Sequence, residues 1–192
     1  MKPLRRLNVG AMQVPPFSLA EQIRELGDHL DDAVLQVLRS GQYIGGRSIA
    51  QFEEAFANAT GAPHAVGCNS GTDALTLTLR ALGIGPGDEV ITSSFSFFAT
   101  AEAISAVGAT PVFVDVEEGS YLIDPELIEA AITPSTRALM PVHLFGRPVD
   151  MERIGAIAAT HDLRVIEDCA QATGASWGGR PVGSWGDAGC FS

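Results

Sequence analysis

From Ser18 to Gly41, SLAEQIRELGDHLDDAVLQVLRSG, apolar residues recur at intervals of three and four, which predicts an amphipathic helix with Ser18 as its N-cap and Gly41 as its stop. A second helix is predicted over SIAQFEEAFANATG, residues 48–61. The period then changes, and short apolar runs alternate with helical ones. HAVGCN (64–69) reads as a strand, TDALTLTLRALG (72–83) as a helix, GDEVITSS (87–94) as a strand, FFATAEAISAVG (97–108) as a helix and TPVFVDV (110–116) as a strand. DPELIEAAI (124–132) places Asp124 at an N-cap and Pro125 at the first helical position, where a missing N–H is harmless. TRALMPVHLFG (136–146) is predicted as a strand, VDMERIGAIAATHD (149–162) as a helix and LRVIEDCAQ (163–171) as a strand.

Such alternation demands an α/β fold, a mostly parallel sheet sandwiched by helices and joined by right-handed crossovers. The glycine-rich stretch GASWGGRPVGSWGDAGCFS, residues 174–192, reads instead as short strands and turns. In an open parallel sheet ligands bind in the crevice beyond the carboxyl ends of the strands, so Asp168, at the end of the apolar run in RVIEDCAQATGA, is expected to face a ligand.

Composition removes several alternatives. At 192 residues, 46% apolar and 18% charged, the chain can bury one sizeable core. A net charge of -11 with only 12 Lys and Arg opposes a nucleic acid partner. The N-terminus, MKPLRRLNVGAMQVPPF, is basic but has no continuous apolar run, so neither a signal peptide nor a membrane span is expected, and the location is read as cytoplasmic. Cys68, Cys169 and Cys190 are widely spaced and odd in number, which argues against a disulfide framework or a zinc site; no metal is expected, and all three are read as small buried residues.

Two stretches carry candidate chemistry. In CNSGTDAL, residues 68–75, a predicted strand turns through Ser70, Gly71 and Thr72 into a helix, and the exposed amides of a helix N-terminus with two hydroxyls suit an anion. Plain N-capping by Ser70, Thr72 or Asp73 accounts for the same residues. GIGPGDEV resembles a dinucleotide fingerprint but runs into a strand, so it is read as a turn. A serine hydrolase built on Ser70, His143 and Asp168 fails on the absence of G-x-S-x-G and on chain order. A phosphate cup together with an acid at a strand end points to pyridoxal phosphate, whose pyridine nitrogen many enzymes hold with a carboxylate.

The segments NSGTDALTLTLRALGIGPGDEVITSSFSFFATAEAISAVGATPVFVDV, MPVHLFGRPVDM and VIEDCAQATGA with GRPVGSWGDAGCFS together resemble the DegT/DnrJ/StrS family of pyridoxal-phosphate sugar aminotransferases. The resemblance implies the large domain of a fold-type I, aspartate-aminotransferase-like enzyme, with residues 1–40 as an N-terminal arm and helix and 41–192 as the cofactor-binding domain. It further implies that Gly71, Thr72 and Asp73 hold the cofactor phosphate with help from Ser192, and that Phe97 stacks on the ring. Asp168 then pairs with the ring nitrogen and Gln171 with the ring hydroxyl. His143 lies near the site, as an accessory catalytic contact or as a structural hydrogen bond.

Aminotransfer on this cofactor needs a lysine to hold it as a Schiff base and to move a proton. The sequence has one, Lys2, far from every motif; the family's lysine follows the FSF segment, so it is expected beyond Ser192 together with a C-terminal small domain, and the chain by itself is expected to be inactive. The resemblance implies amino transfer from L-glutamate to a nucleotide-linked ketosugar by a homodimer. Left open are a family dehydratase with histidine in place of the lysine, a cyclitol aminotransferase, and a non-catalytic binding or assembly fragment.

Overall fold

The computed structural model describes Pro15 and residues 18–192. Lys2 and most of the basic N-terminal stretch lie outside the described residues. The chain divides into two compact units, Met1–Ser48 and Ile49–Ser192.

In the first unit the expected single helix is two, α1 (Ala20–Leu26) and α2 (Asp28–Ser40), and neither has a buried residue. Gly27 separates them at φ +49°, a backbone conformation that the apolar period cannot reveal and that a side chain would resist. Leu19 is the N-cap, with Ser18 Oγ accepting from the Ala20 amide at 3.3 Å, and Gly41 stops α2 in the left-handed region as expected.

Helix α3 (Arg47–Thr60) falls mostly in the second unit, followed there by α4 (Gly71–Ala81), β1 (Glu89–Ser93), α5 (Phe98–Ala106), β2 (Thr110–Val114), α6 (Pro125–Ala131), β3 (Thr136–Met140), α7 (Met151–His161) and β4 (Arg164–Asp168). The tail forms a small hairpin, β5 (Ser176–Trp177) with β6 (Arg180–Pro181), and then β7 (Ala188–Cys190). The five-stranded sheet has the order β2-β1-β3-β4-β7, every neighbouring pair parallel. Asp124 Oδ1 accepts from the Glu126 amide at 2.9 Å with Pro125 in the first turn, the cap read from the sequence.

Side chains alternate across the strands and so build two cores. Val90, Ala138, Met140 and Ile166 pack with Leu75 and Leu79 of α4 and Ala103 and Ile104 of α5. Ile91, Leu139 and Val165 pack with Ile128 of α6 and Met151, Ile154 and Ala158 of α7. The sheet is therefore covered on both faces, which explains the near-continuous apolar runs in its strands.

The expected strand over 64–69 is not formed. The segment has no regular secondary structure and pairs with no strand among the described residues; Val66 is exposed, and so is Cys68, against expectation. Cys169 and Cys190 are buried as read.

Candidate functional site

The expected site residues gather at the carboxyl edge of the sheet. Asp168 ends β4, and by alternation it faces the same side as Ile166, toward α4 and α5. It is buried, Oδ2 accepting from the Thr100 hydroxyl of α5 at 2.8 Å and Oδ1 from the Ala170 amide at 3.2 Å. Burial pushes its carboxyl above the ordinary range, and the bonds from Thr100 and Ala170 only partly offset this. Asp168 has no salt-bridge partner among the described residues, so burial favours its neutral form unless a cation pairs with it.

Asp168 is in register with Cys190 of β7, whose carbonyl accepts from the Cys169 amide at 2.8 Å. Two residues on, Ser192 lies against the start of α4: a Cβ on Gly71 would stand 2.8 Å from Ser192 Cβ and 3.2 Å from its Oγ, so only glycine fits at that approach. Ser70 caps α4, its Oγ accepting from the Asp73 amide at 3.1 Å and its carbonyl from the Ala74 amide at 2.9 Å. The Gly71 and Thr72 amides have no protein acceptor among the described residues and are free to bind an anion; the Asp73 amide is already engaged, and its carboxylate accepts from Asn69 at 3.0 Å. The acid and the amide cup are thus linked through β7.

Phe97 is the N-cap of α5 and the residue is 72% exposed. Gln171 Oε1 accepts from the Phe145 amide at 2.8 Å, leaving its NH2 group to donate elsewhere. His143 is fully buried; Nδ1 accepts from the Val149 amide at 3.0 Å, which puts the ring hydrogen on Nε2, 3.1 Å from Glu167 Oε2. Both ring nitrogens are engaged inside the fold, on the face opposite Asp168.

Two residues bonded to the candidate site escaped the sequence reading. Thr100 sits inside SFSFFAT, where a hydroxyl among aromatics gives no signal until α5 is placed beside β4. Glu167 adjoins Asp168, and strand alternation sends it to the other face. It is fully buried, Oε1 accepting from the Trp185 and Gly186 amides at 2.7 and 2.8 Å, and Oε2 from the Gly183 amide at 2.7 Å as well as from His143. Burial would raise its carboxyl, but the bonds from His143, Gly186 and Gly183 outweigh that and hold it below the ordinary range. Glu167, His143 and Cys169 offer ligand atoms within 4.8 Å of one another. Their hydrogen bonds already occupy the carboxylate and the imidazole, and burial beside Glu167 and Asp168 drives the Cys169 thiol far upward, which disfavours the thiolate a metal would need.

A model of the DegT/DnrJ/EryC1/StrS aminotransferase family matches residues 24–192. The chain is 52% identical over 179 residues to the UDP-N-acetyl-3-dehydro-alpha-D-glucosamine 3-aminotransferase of Acidithiobacillus ferrooxidans, a match of 93% of this chain and 48% of that one. It is 48% identical over 180 residues to the dTDP-3-amino-3,4,6-trideoxy-alpha-D-glucose transaminase of Streptomyces venezuelae, covering 94% of this chain and 48% of that one. The PLP form of Spr1654 from Streptococcus pneumoniae superposes with a TM-score of 0.83 at 34% identity, over 86% of this chain and 46% of that one. The chain spans about half the length of the curated relatives it matches.

Proposed function

The chain belongs to the DegT/DnrJ/EryC1/StrS aminotransferase family, and on that premise we propose that it grips pyridoxal phosphate in a protein that moves an amino group from L-glutamate to the keto carbon of a nucleotide-linked sugar. The relatives named for UDP- and dTDP-linked sugars support the acceptor class. The observation that carries the cofactor reading is Asp168, a buried acid without a cation, linked through β7 to the free amides of Gly71 and Thr72.

When bound, pyridoxal phosphate supplies an electron sink for the pair left as a proton leaves the amino-acid carbon. Asp168 would hold the ring nitrogen protonated, and Thr100 fixes its carboxylate. The Gly71 and Thr72 amides, with the Thr72 and Ser192 hydroxyls, hold the phosphate at the positive end of α4, which Asp73 braces through Ser70 and Asn69. Phe97, exposed at the start of α5, would pack on the cofactor ring, and the free NH2 group of Gln171 would donate to its hydroxyl. His143 bonds Glu167 and the Val149 amide, a structural role behind the site. The one lysine of the sequence is Lys2, so these residues bind and orient, and we read the chain by itself as binding without turnover. The exposed apolar residues of α1 and α2, Ile23, Leu30, Val34 and Leu38 among them, support a homodimer in the intact protein. The three free cysteines support a reducing, cytoplasmic setting.

Titrating the chain with pyridoxal phosphate and following the cofactor's absorbance tests this reading. Saturable binding that Asp168→Ala weakens at least about tenfold is expected; indifference of the wild-type chain to the cofactor overturns it. For the intact protein, glutamate-dependent amination of a UDP- or dTDP-linked ketosugar is the corresponding assay.

A further inference from the structure

Resting on that cofactor reading, we propose that Glu167 is a positioning residue: from the face of the sheet opposite the cofactor, it holds the tail segment that delivers Ser192 to the phosphate cup. Its carboxylate collects three consecutive-turn amides, those of Gly183, Trp185 and Gly186, plus the His143 imidazole, all between 2.7 and 3.1 Å. This turn lies on the path from β6 to β7, and its glycines and the glycine of β7 are packed too closely for side chains. A Cβ on Gly186 would stand 2.4 Å from the Val165 carbonyl oxygen, one on Gly189 2.4 Å from Gly183 Cα, and one on Gly183 2.4 Å from the Phe191 ring.

The contacts then run on without a gap. The Phe191 ring packs on Gly183 and meets Phe56 edge-on at 5.0 Å, and Ser192 rests on Gly71 at the first turn of α4. One buried carboxylate therefore ties β4, which carries the ring acid Asp168, to the segment that carries the phosphate-side hydroxyl.

The test compares pyridoxal phosphate with pyridoxal, which lacks the phosphate, in wild-type, Glu167→Gln, Ser192→Ala and doubly substituted chains, with circular dichroism to confirm folding. Gln cannot accept all four donors, so Glu167→Gln is expected to lower the affinity for pyridoxal phosphate about tenfold while changing that for pyridoxal less than about twofold. In the Ser192→Ala background the same substitution is expected to cost much less, because the group it positions is gone. Should Glu167→Gln fail to fold, Phe191→Ala, which cuts the path between turn and Ser192 without touching Glu167, is expected to show the same selective loss. Equal losses for the two ligands, or full additivity with Ser192→Ala, overturn the proposal. A wild-type chain that binds neither ligand overturns the cofactor reading and this inference with it.

Discussion

The Thr100 hydroxyl stands 2.8 Å from Asp168 Oδ2 and joins the first turn of α5 to the last residue of β4. Ser96 Oγ lies 2.7 Å from Thr100 Oγ1, so the two hydroxyls form a short chain that can end on the carboxylate. Without it, a buried acid would keep one bond, the 3.2 Å contact from the Ala170 amide, and would be free to rotate away from a ring nitrogen.

Thr100→Val keeps the shape of the side chain and removes the donor. A buried acceptor left unpaired costs about 1–3 kcal/mol. The expected outcome is a five- to tenfold weaker affinity for pyridoxal phosphate, read from absorbance titration, with the circular dichroism spectrum unchanged. An unaltered affinity contradicts the orienting role of Thr100.

Asp168→Asn separates the needs of the fold from those of the ligand. Because burial raises this carboxyl above its ordinary value of 3.8, the fold favours the neutral acid. The stability it contributes is complete below that ordinary value and is lost as pH rises through the folded-state value. Asn has no charge to bury, so in the absence of cofactor the wild-type chain is expected to lose ground to Asp168→Asn as pH climbs from about 4 to 8. Urea unfolding of both chains across that range shows it; parallel curves contradict it. With pyridoxal phosphate present the order reverses, since only the carboxylate pairs with the ring.

Most of this architecture was legible because each strand and helix announces itself locally. Asp124 with Pro125, and the glycines after α4 and α5, mark boundaries that short-range chemistry sets. What escaped depends on distant partners. Strand β7 is three residues long and exists because Ile166–Asp168 waits beside it; segment 64–69 has the composition of a strand but no ladder among the described residues. In the site, the places of Asp168 at a strand end and of Gly71 at a helix start were readable locally, while their assignment to one ligand came from the family resemblance. Glu167 escaped because its donors are amides of a turn sixteen to nineteen residues away.

Gly71→Ala tests the cup without disturbing the fold. Gly71 has no left-handed backbone to protect, and alanine is the better helix former by about 1 kcal/mol in a helix interior. Its methyl would nevertheless collide with Ser192, 2.8 Å away, and push the terminal hydroxyl off the helix start. Stability is expected to hold or rise in thermal unfolding while pyridoxal phosphate affinity falls about tenfold and pyridoxal affinity does not. A parallel fall for both ligands contradicts the assignment of this turn to the phosphate.

Acid should open the Glu167 turn before it unfolds the rest. The bonds from His143, Gly186 and Gly183 hold this carboxyl below its ordinary value of 4.5 despite burial, so its contribution to stability is complete above that value and is lost as pH falls through the folded-state value. Protonation puts a hydrogen on an oxygen that already receives N–H donors, and the new O–H finds no acceptor there. Asp168 titrates with the opposite sign, so the early loss belongs to Glu167. Trp185 reports on it directly: its amide binds Glu167 Oε1 at 2.7 Å and its ring carries the Arg180 guanidinium at 4.7 Å. On acidification below about pH 4.5, indole emission is expected to shift and the Gly183, Trp185 and Gly186 amides to exchange with solvent while β1 and β3 stay protected. In Glu167→Gln that early step is expected to vanish. If those three amides instead stay protected until global unfolding, the carboxylate is not what holds the turn.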